Sequence, residues 1–449
     1  MKCIEDEIPF ELPEGWAWCR LGFIGNWQSG ATPNRRHHEY YGGEIPWLKT
    51  GDLNDDYINS VPEYITEEGM KNSSVYLNPV GSVLIAMYGA TIGKLGIANI
   101  ALTTNQACCA CLPIYIKSRF LFYFLMYQKE YFIKQAVGGA QPNISKEKIV
   151  STLFPVPPIN EQEKLVLKLD ELFNLVNNID IDKNSLFEII STTKSKILDL
   201  AIRGKLVHQD PNDEPASVLL ERIRAEKEEL IKQGKIKRDK KESIIFRDDD
   251  NSYYENVGEK MIDISDKLPF NIPDSWCWGK LKDIVIINPR NKLDDDMEAA
   301  FIPMPLIEDG YSGNHSFEIR KWKDIKSGFT HFKDGDVGIA KITPCFENRK
   351  SVVFKNLYNG YGAGTTELHV LRPYKDTILA EFLLVYAKSQ RFIEDGKQTF
   401  SGAVGQQRIG KEYIETVYFP IPPLQEQQRI INHINNLFNY LNIIETALS

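Results

Sequence analysis

Gly89-Ala-Thr-Ile-Gly93-Lys94-Leu95 comes nearest in this sequence to a phosphate-binding loop. It is one residue short between the glycines, and Leu95 stands where a Ser or Thr hydroxyl would reach Mg²⁺. Asp336 and Glu347-Asn-Arg-Lys350 have the residue types of an acidic, metal-dependent nuclease, but spacings this short recur by chance. The Pro-Pro pairs, Val156-Pro-Pro-Ile159 and Ile421-Pro-Pro-Leu424, lack the preceding polar residue and following aromatic that hold a flipped base for amine methylation. They read as stiff entries to helices. The seven histidines form no cluster with metal-ligand spacing. The seven cysteines (3, 19, 108, 109, 111, 277 and 345) include no C-x-x-C, and Cys108, Cys109 and Cys111 lie in the apolar run QACCACLPIYI, as core residues do. No catalytic or metal centre is legible.

What the sequence does offer is polar, Gly-flanked turns with side chains suited to recognition. In the N-terminal half these are Arg35, Arg36, Lys49, Tyr88, Thr91, Lys94, Asn105 and Gln106. In the C-terminal half they are Arg290, Asn291, Lys341, Thr343, Asn348, Arg349, Lys350, Thr365 and Thr366. Arg and Lys suit guanine edges or phosphate, and Asn and Gln suit adenine N6/N7. Any one of them can equally be a surface charge or a buried capping amide; the clustering is the stronger signal.

The elements that position these turns follow from an internal repeat. IPFELPEGWAWCRL from Ile8 matches LPFNIPDSWCWGKL from Leu268, 260 residues later. GAQPNISKEKIVSTLFPVPP matches VGQQRIGKEYIETVYFPIPP at an offset of 265. Each W-x-W pair has strand period and points both rings to one face, for core or interdomain packing. Between the matched ends the two halves show little likeness. Both mix short β-like runs, turns and one helical patch (Phe120–Phe132; Leu379–Ile393), so each is expected to be α+β. Duplicated edges around different middles imply one assembly geometry and two contact surfaces.

After each Pro-Pro pair the apolar residues step by fours and threes. The first seam is Leu165, Leu169, Leu172, Val176, Ile179, Leu186, Ile190, Ile197 and Leu200; the second is Ile430, Ile434, Leu437, Leu441, Ile444 and Leu448. A 3.5-residue period predicts two helices that pack on one another through these seams. Asn160 with Glu163 fits a capping box, and Gly204 fits a left-handed stop. The first helix is then roughly 60 Å long at about 1.5 Å per residue. By the 265-residue offset the second helix is expected to continue about twenty residues past Ser449, to a counterpart of Gly204. Between the helix and the second half, Pro215 can start a charged helix reaching about Gln233. The following KIKRDKKESIIFRDDDNSYYENVGEK, with its basic run Lys235–Lys241, reads as a solvated, weakly structured linker.

Length and composition agree with this layout. A chain of 449 residues, 43% hydrophobic and 25% charged, makes two to three globular domains. No apolar run spans a bilayer and the start has no secretion signal, so a reduced cytoplasmic setting without membrane contact is expected. The net charge of −8 argues against a free-standing nucleic-acid binder.

Two divergent halves, each opening with P-x-x-W-x-W and closing with a PxPP-x-x-EQ helix, resemble the specificity subunit of a type I restriction–modification system. AIRGKLVHQDPNDEPASVLLERIRAEKEELIKQGKIKR, from Ala201 to Arg238, is similar to that family's central region. SGATP…IPWLKTGDL with TTNQACCA, and ITPCFENRK with GTTELHVLRP, resemble its recurrent target-recognition types. The resemblance implies target-recognition domains at 1–155 and 265–421, a central spacer helix at 156–204, a connector at 205–264 and a second spacer helix at 422–449. It further implies a non-catalytic subunit that binds double-stranded DNA, each domain reading half of a bipartite site. In that family the helices form an antiparallel coiled coil that sets the gap and docks two DNA methyltransferase subunits, with motor-nuclease subunits joining the complex. Those partners carry S-adenosylmethionine, ATP and Mg²⁺, and their phosphate contacts answer the charge objection. The alternatives are a self-sufficient restriction or modification enzyme with an unrecognised active site, and a coiled-coil interaction scaffold.

Overall fold

The matched tryptophan motifs become short strands that pair with the strands leading into the Pro-Pro turns. Ala17–Arg20 pairs antiparallel with Leu153–Val156, placing Trp18 opposite Pro155. Cys277–Lys280 pairs with Tyr418–Ile421, placing Trp278 opposite Pro420. Two-stranded ribbons tolerate these prolines, whose missing N–H needs no partner on the open side. The computed structural model describes residues 7–138, 142–234, 236, 238, 243–248, 251–258, 260–403 and 405–448. It divides into two units, Met1–Asp180 and Ile181–Ser449.

In the first unit a five-stranded sheet runs in the order Gly25–Ser29, Cys108–Pro113, Val83–Ala86, Leu95–Ala98, Asp56–Ile58. Strand Val83–Ala86 is buried on both faces. Val83 and Ile85 enter the core under helix Ser118–Tyr127, while Leu84 and Ala86 enter a smaller core on the other side. A second sheet, Tyr64–Ile65, Tyr41–Leu48, Thr103–Thr104, carries a parallel pair. In the second unit the main sheet is Val285–Ile287, Leu368–Pro373, Val337–Ala340, Ser351–Val353. Its companion is Glu318–Lys321, Glu298–Ile302, Tyr361–Gly364, Thr330–Lys333, again with one parallel pair.

The two middles are therefore one frame, contrary to the expectation from sequence. Gly25 faces Pro113 and Val285 faces Pro373, each partner displaced by 260 residues. Val83 faces Cys111 as Val337 faces Leu371. Leu48 faces Thr104 across the parallel pair as Ile302 faces Gly364. Short strands need only apolar side chains at the buried positions, so register persists while identity drifts.

The central helix, Ile159–Ile202, starts directly after Pro158, whose carbonyl accepts from Glu161 N and Gln162 N. Asn160 thus lies inside the first turn and is not the cap. Gly204 has φ +66°, and Lys205 N bonds Leu200 O at 2.9 Å, closing the end as expected. The boundary at Asp180 falls within this helix, so its halves belong to different units. In the second unit, helix Leu424–Leu448 packs antiparallel on the half from Ile181 to Ile202. Lys194 Nζ meets Glu445 Oε2 at 2.6 Å, and Ile197, Ala201, Ile430 and Ile434 share one core.

The seam is partnered over only part of its length. Ile190, Ile197, Ile430 and Ile434 are buried, and Leu200, Leu437, Leu441 and Leu448 partly so. Leu165 and Leu169 pack on the first unit's core instead. Leu172, Val176, Ile179, Leu186 and Ile444 are exposed. This corrects the expectation of a continuous seam.

The connector helix, Ala216–Lys232, follows Pro215 and precedes Gly234 at φ +67°, burying Ala216, Leu219, Leu220 and Ile223 in the second core. Most of the run Lys235–Lys241 lies outside the described residues. The stretch expected to be weakly structured forms a three-stranded antiparallel sheet, Ser243–Arg247, Tyr253–Val257, Lys260–Asp263. Its charges obscured an alternation that turns Ser243, Ile245 and Glu255 inward, with Lys280 Nζ bonded to Glu255 Oε1.

Candidate nucleic-acid interface

The second unit opens a cleft of about 460 Å³ where the ends of three main-sheet strands meet the loop from Ser401 to Arg408. Arg290, Lys341 and Thr366, three of the recognition residues chosen from sequence, line it together. Asn288 fixes the first strand end. At φ +52° its N donates to Val370 O at 2.7 Å and its Oδ1 accepts from Val370 N at 3.0 Å. Backbone bonds join the other walls: Lys341 N to Glu367 O, Ile409 N to Lys341 O, and Thr343 N to Gln407 O.

Four titratable lining residues were not singled out by sequence: His331, His369, Arg408 and Lys411. Arg408 forks onto Glu367 at 2.8 and 3.1 Å, holding that carboxyl below the usual range. Burial lowers the pKa of both histidines, so they are neutral at neutral pH. The cleft's positive charge therefore comes from Arg290, Lys341, Arg408 and Lys411. Arg408 lies within the repeated segment VGQQRIGKEYIETVYFPIPP, where the match to Asn143 replaces an amide with a cation.

The other choices in this unit scatter. Asn291 is internal: its Nδ2 donates to Phe332 O, and its Oδ1 accepts from Arg372, which also forks onto buried Asp336 at 2.8 and 2.7 Å. That pairing makes Asp336 structural, and burial raises its pKa. Arg349 donates to Lys388 O and stacks over Tyr311, while Lys350 Nζ donates to Ile307 O. These three donate to buried carbonyls, and short segments do not reveal which polar side chains fold inward. Asn348 lines a different, polar cleft of about 900 Å³ against Asn435, Asn439 and Asn442 of helix Leu424–Leu448. Thr365 Oγ1 caps Glu367 N at 3.1 Å.

The first unit builds the same loop junction. Ile144 N bonds Met87 O as Ile409 N bonds Lys341 O, both at 2.9 Å. Asn143 bridges Val137 and Tyr88 as Arg408 bridges Ser401 and Ile342. Gly139, Ala140 and Gln141 of the repeated segment lie outside the described residues. Tyr88 and Thr91 share a turn, with Thr91 Oγ1 donating to Tyr88 O at 2.8 Å. Gly93 N returns to Ala86 O, so the phosphate-loop-like stretch is a hairpin turn, with Lys94 beside it. Asn105 keeps its Oδ1 buried and unpaired among the described residues, and Gln106 accepts a hydrogen bond from Thr32. Arg35 and Lys49 form a second group on Glu63, at 3.0 and 2.5 Å, with Arg35 lying over the Tyr41 and Trp47 rings. Arg36 is exposed beside them.

Cys108, Cys109 and Cys111 are buried thiols whose pKa burial raises, that of Cys109 to about 12. Among the described residues no three His, Cys, Asp or Glu side chains gather to hold a metal, and no helix is long and apolar enough to cross a membrane.

The chain is 48% identical over 257 residues to the EcoAI specificity subunit of a type I restriction enzyme from Escherichia coli, covering 57% of this chain and 41% of that protein. To the EcoEI specificity subunit, also from Escherichia coli, it is 45% identical over 250 residues, covering 55% and 39%. The chain thus spans about two fifths of the length of these relatives. In fold it is similar to a chain of a type I R-M system solved to describe complex assembly and conformational transition, with a TM-score of 0.60, 16% identity, and 98% and 94% of the two chains covered. It is also similar to the HsdS subunit from Thermoanaerobacter tengcongensis, at TM-score 0.51, 15% identity and coverage of 98% and 93%. The pattern of the type I restriction modification DNA specificity domain matches residues 13–189 and again 273–449, the two stretches that the internal repeat pairs, and the chain belongs to that family.

Proposed function

We propose that this chain is the non-catalytic, DNA sequence-specificity subunit of a type I restriction–modification complex. One observation carries the reading: a single backbone frame is built twice and holds different side chains at matched steps. Met87, Gln106 and Asn143 in one frame stand where Lys341, Thr366 and Arg408 stand in the other. A duplicated frame with exchanged side chains suits two readers of unlike sequence, each contacting one half of a bipartite double-stranded site. The relatives named above are specificity subunits.

In this reading the first half-site meets Arg35, Arg36, Lys49, Tyr88, Thr91, Lys94, Asn105 and Gln106. The second meets Arg290, Lys341, Thr343, Thr365 and Thr366, joined by Arg408 and Lys411. Asn291, Asn348, Arg349 and Lys350 are set aside because their contacts lie elsewhere. The helices set the gap and dock two methyltransferase subunits, and motor-nuclease subunits join through the complex. Those partners carry S-adenosylmethionine, ATP and Mg²⁺, and the assembly is cytoplasmic.

The test is to assemble the chain with methyltransferase subunits and map methylated sites on random DNA. A split target is expected, and exchanging residues 22–140 for another unit of the same type should alter one half only. Methylation by the chain alone, or a change in both halves, would defeat the reading.

A further inference from the structure

The loop junction that both units build keeps one cation while its neighbours change. Met87, Gln106, Cys109 and Asn143 of the first unit stand where the second has Lys341, Thr366, His369 and Arg408. Two residues beyond the bond from Ile144 N to Met87 O comes Lys146. Two residues beyond the bond from Ile409 N to Lys341 O comes Lys411. Each lysine opens the short helix that follows its loop, Lys146–Val150 in one unit and Lys411–Thr416 in the other.

The two ammonium groups also reach the same part of the frame. Ile85 faces Cys109 across the main sheet as Ile339 faces His369. Burial raises the pKa of the Cys109 thiol, and the charge of Lys146 pulls it back down. Burial lowers the pKa of the His369 imidazole, and Lys341 and Lys411 lower it further. Lys146 and Lys411 thus lie beside the same strand step. Lys411 lines the cleft; Glu412, kept as Glu147 in the first unit, does not.

Neither lysine is tied into the fold. Lys411 pairs with Glu415 one helical turn on, and an exposed pair of that kind holds its cation weakly, so another anion can replace the carboxylate. In the first unit Val150 takes the place of Glu415, and Lys146 makes no hydrogen bond or salt bridge among the described residues. Phosphate is the anion that two unlike half-sites have in common. It recurs along any duplex and carries no sequence information, whereas base edges change from site to site. A cation kept at one step of both frames suits phosphate, just as side chains exchanged around it suit bases. Resting on the reading of the chain as a DNA specificity subunit, we propose that Lys146 and Lys411 are matched phosphate anchors, one for each half-site, which fix the register in which the exchanged side chains meet base edges.

The test uses the full chain assembled with methyltransferase subunits. Its binding is titrated at several salt concentrations, on DNA carrying the methylated target and on DNA with that target scrambled. Lys146→Gln and Lys411→Gln should each lower the slope of log affinity against log salt by about one, and together by about two. Each should weaken binding to both DNAs by the same factor and leave the methylated sequence as it was. Lys146→Arg and Lys411→Arg, which keep the charge, should keep the wild-type slope. If either glutamine variant left the slope unmoved, or altered the methylated sequence, the anchors would be overturned, while a split target for the wild-type complex would leave the specificity reading standing. A wild-type complex that methylates no split target would overturn both.

Discussion

Asn143 and Arg408 occupy the same step of the same loop, yet one is an exposed amide and the other half of an ion pair. Around them the contrast repeats. Met87 is buried where Lys341 lines an open cleft, and Ala107 stands where Glu367 receives Arg408. The backbone bonds beneath these positions are the same in both units. One backbone step thus carries a side chain packed into the core in one unit and a side chain facing the cleft in the other. The frame sets where a ligand is met, and the strand-end side chains set what is met.

The sharpest way to break this equivalence is through cover. Trp278→Ala removes a ring that is 1% exposed beneath Ile223 and Ile245, and should cost about 3–5 kcal/mol in urea unfolding. Trp18→Ala, at the matched site beside an open apolar groove, should cost about 1–2 kcal/mol. Equal losses would mean that this groove is closed in solution.

Next in size is the exchange of counterpart residues at the reading positions. Lys341→Met and Arg408→Asn give the second frame the residues of the first. Each should weaken DNA binding by the assembled complex by about 1–3 kcal/mol if the original side chain meets a base edge. If it meets a phosphate instead, its removal should lower the salt slope of binding by about one. The second half-site should relax while the first holds; relaxation of the first would show that the frames do not read independently.

The same contrast explains what sequence could and could not reveal. The tryptophan motifs and Gly204 were legible because each meets a demand that few residues satisfy: a large ring in a groove, or a left-handed backbone against Pro273. The shared middle was hidden because CCACLP and LHVLRP need only fill equivalent strands, and they retain one proline in common. The seam pattern correctly marked a helix, but it could not show that Leu172, Val176 and Ile179 would be exposed while Ile197 is covered. A periodic stripe records a capacity to pack, not the presence of a partner. Arg349 and Lys350 misled for the matching reason, since a cation in a turn can point inward to a carbonyl as readily as outward to a ligand.

The smallest effect concerns Lys388, whose counterpart is Met126 when the two helices are aligned on Lys117 N and Leu379 N, which bond Gln162 and Gln427 alike. Lys388 is 3% exposed and donates to Gly310 O at 2.6 Å and Arg349 O at 2.9 Å. Burial, with Arg349 nearby, pushes its ammonium down to about 7 from a lysine's ordinary 10.5. Below about pH 7 both folded and unfolded chains hold the proton. Between that point and 10.5 the unfolded chain holds one that the folded chain has released. Stability attributable to this group therefore climbs with pH across the window and is lost as pH falls toward 7, with a slope of at most about 1.4 kcal/mol per unit. Lys388→Met installs the first unit's residue and removes the titration, along with two hydrogen bonds to loop carbonyls. Unfolding measured at pH 7, 8 and 9 should show the wild-type chain gaining on the variant at each step. Parallel curves would mean that Lys388 stays protonated in the fold, and that the loops at Gly310 and Arg349 are held by a full charge where the first unit makes do with a thioether.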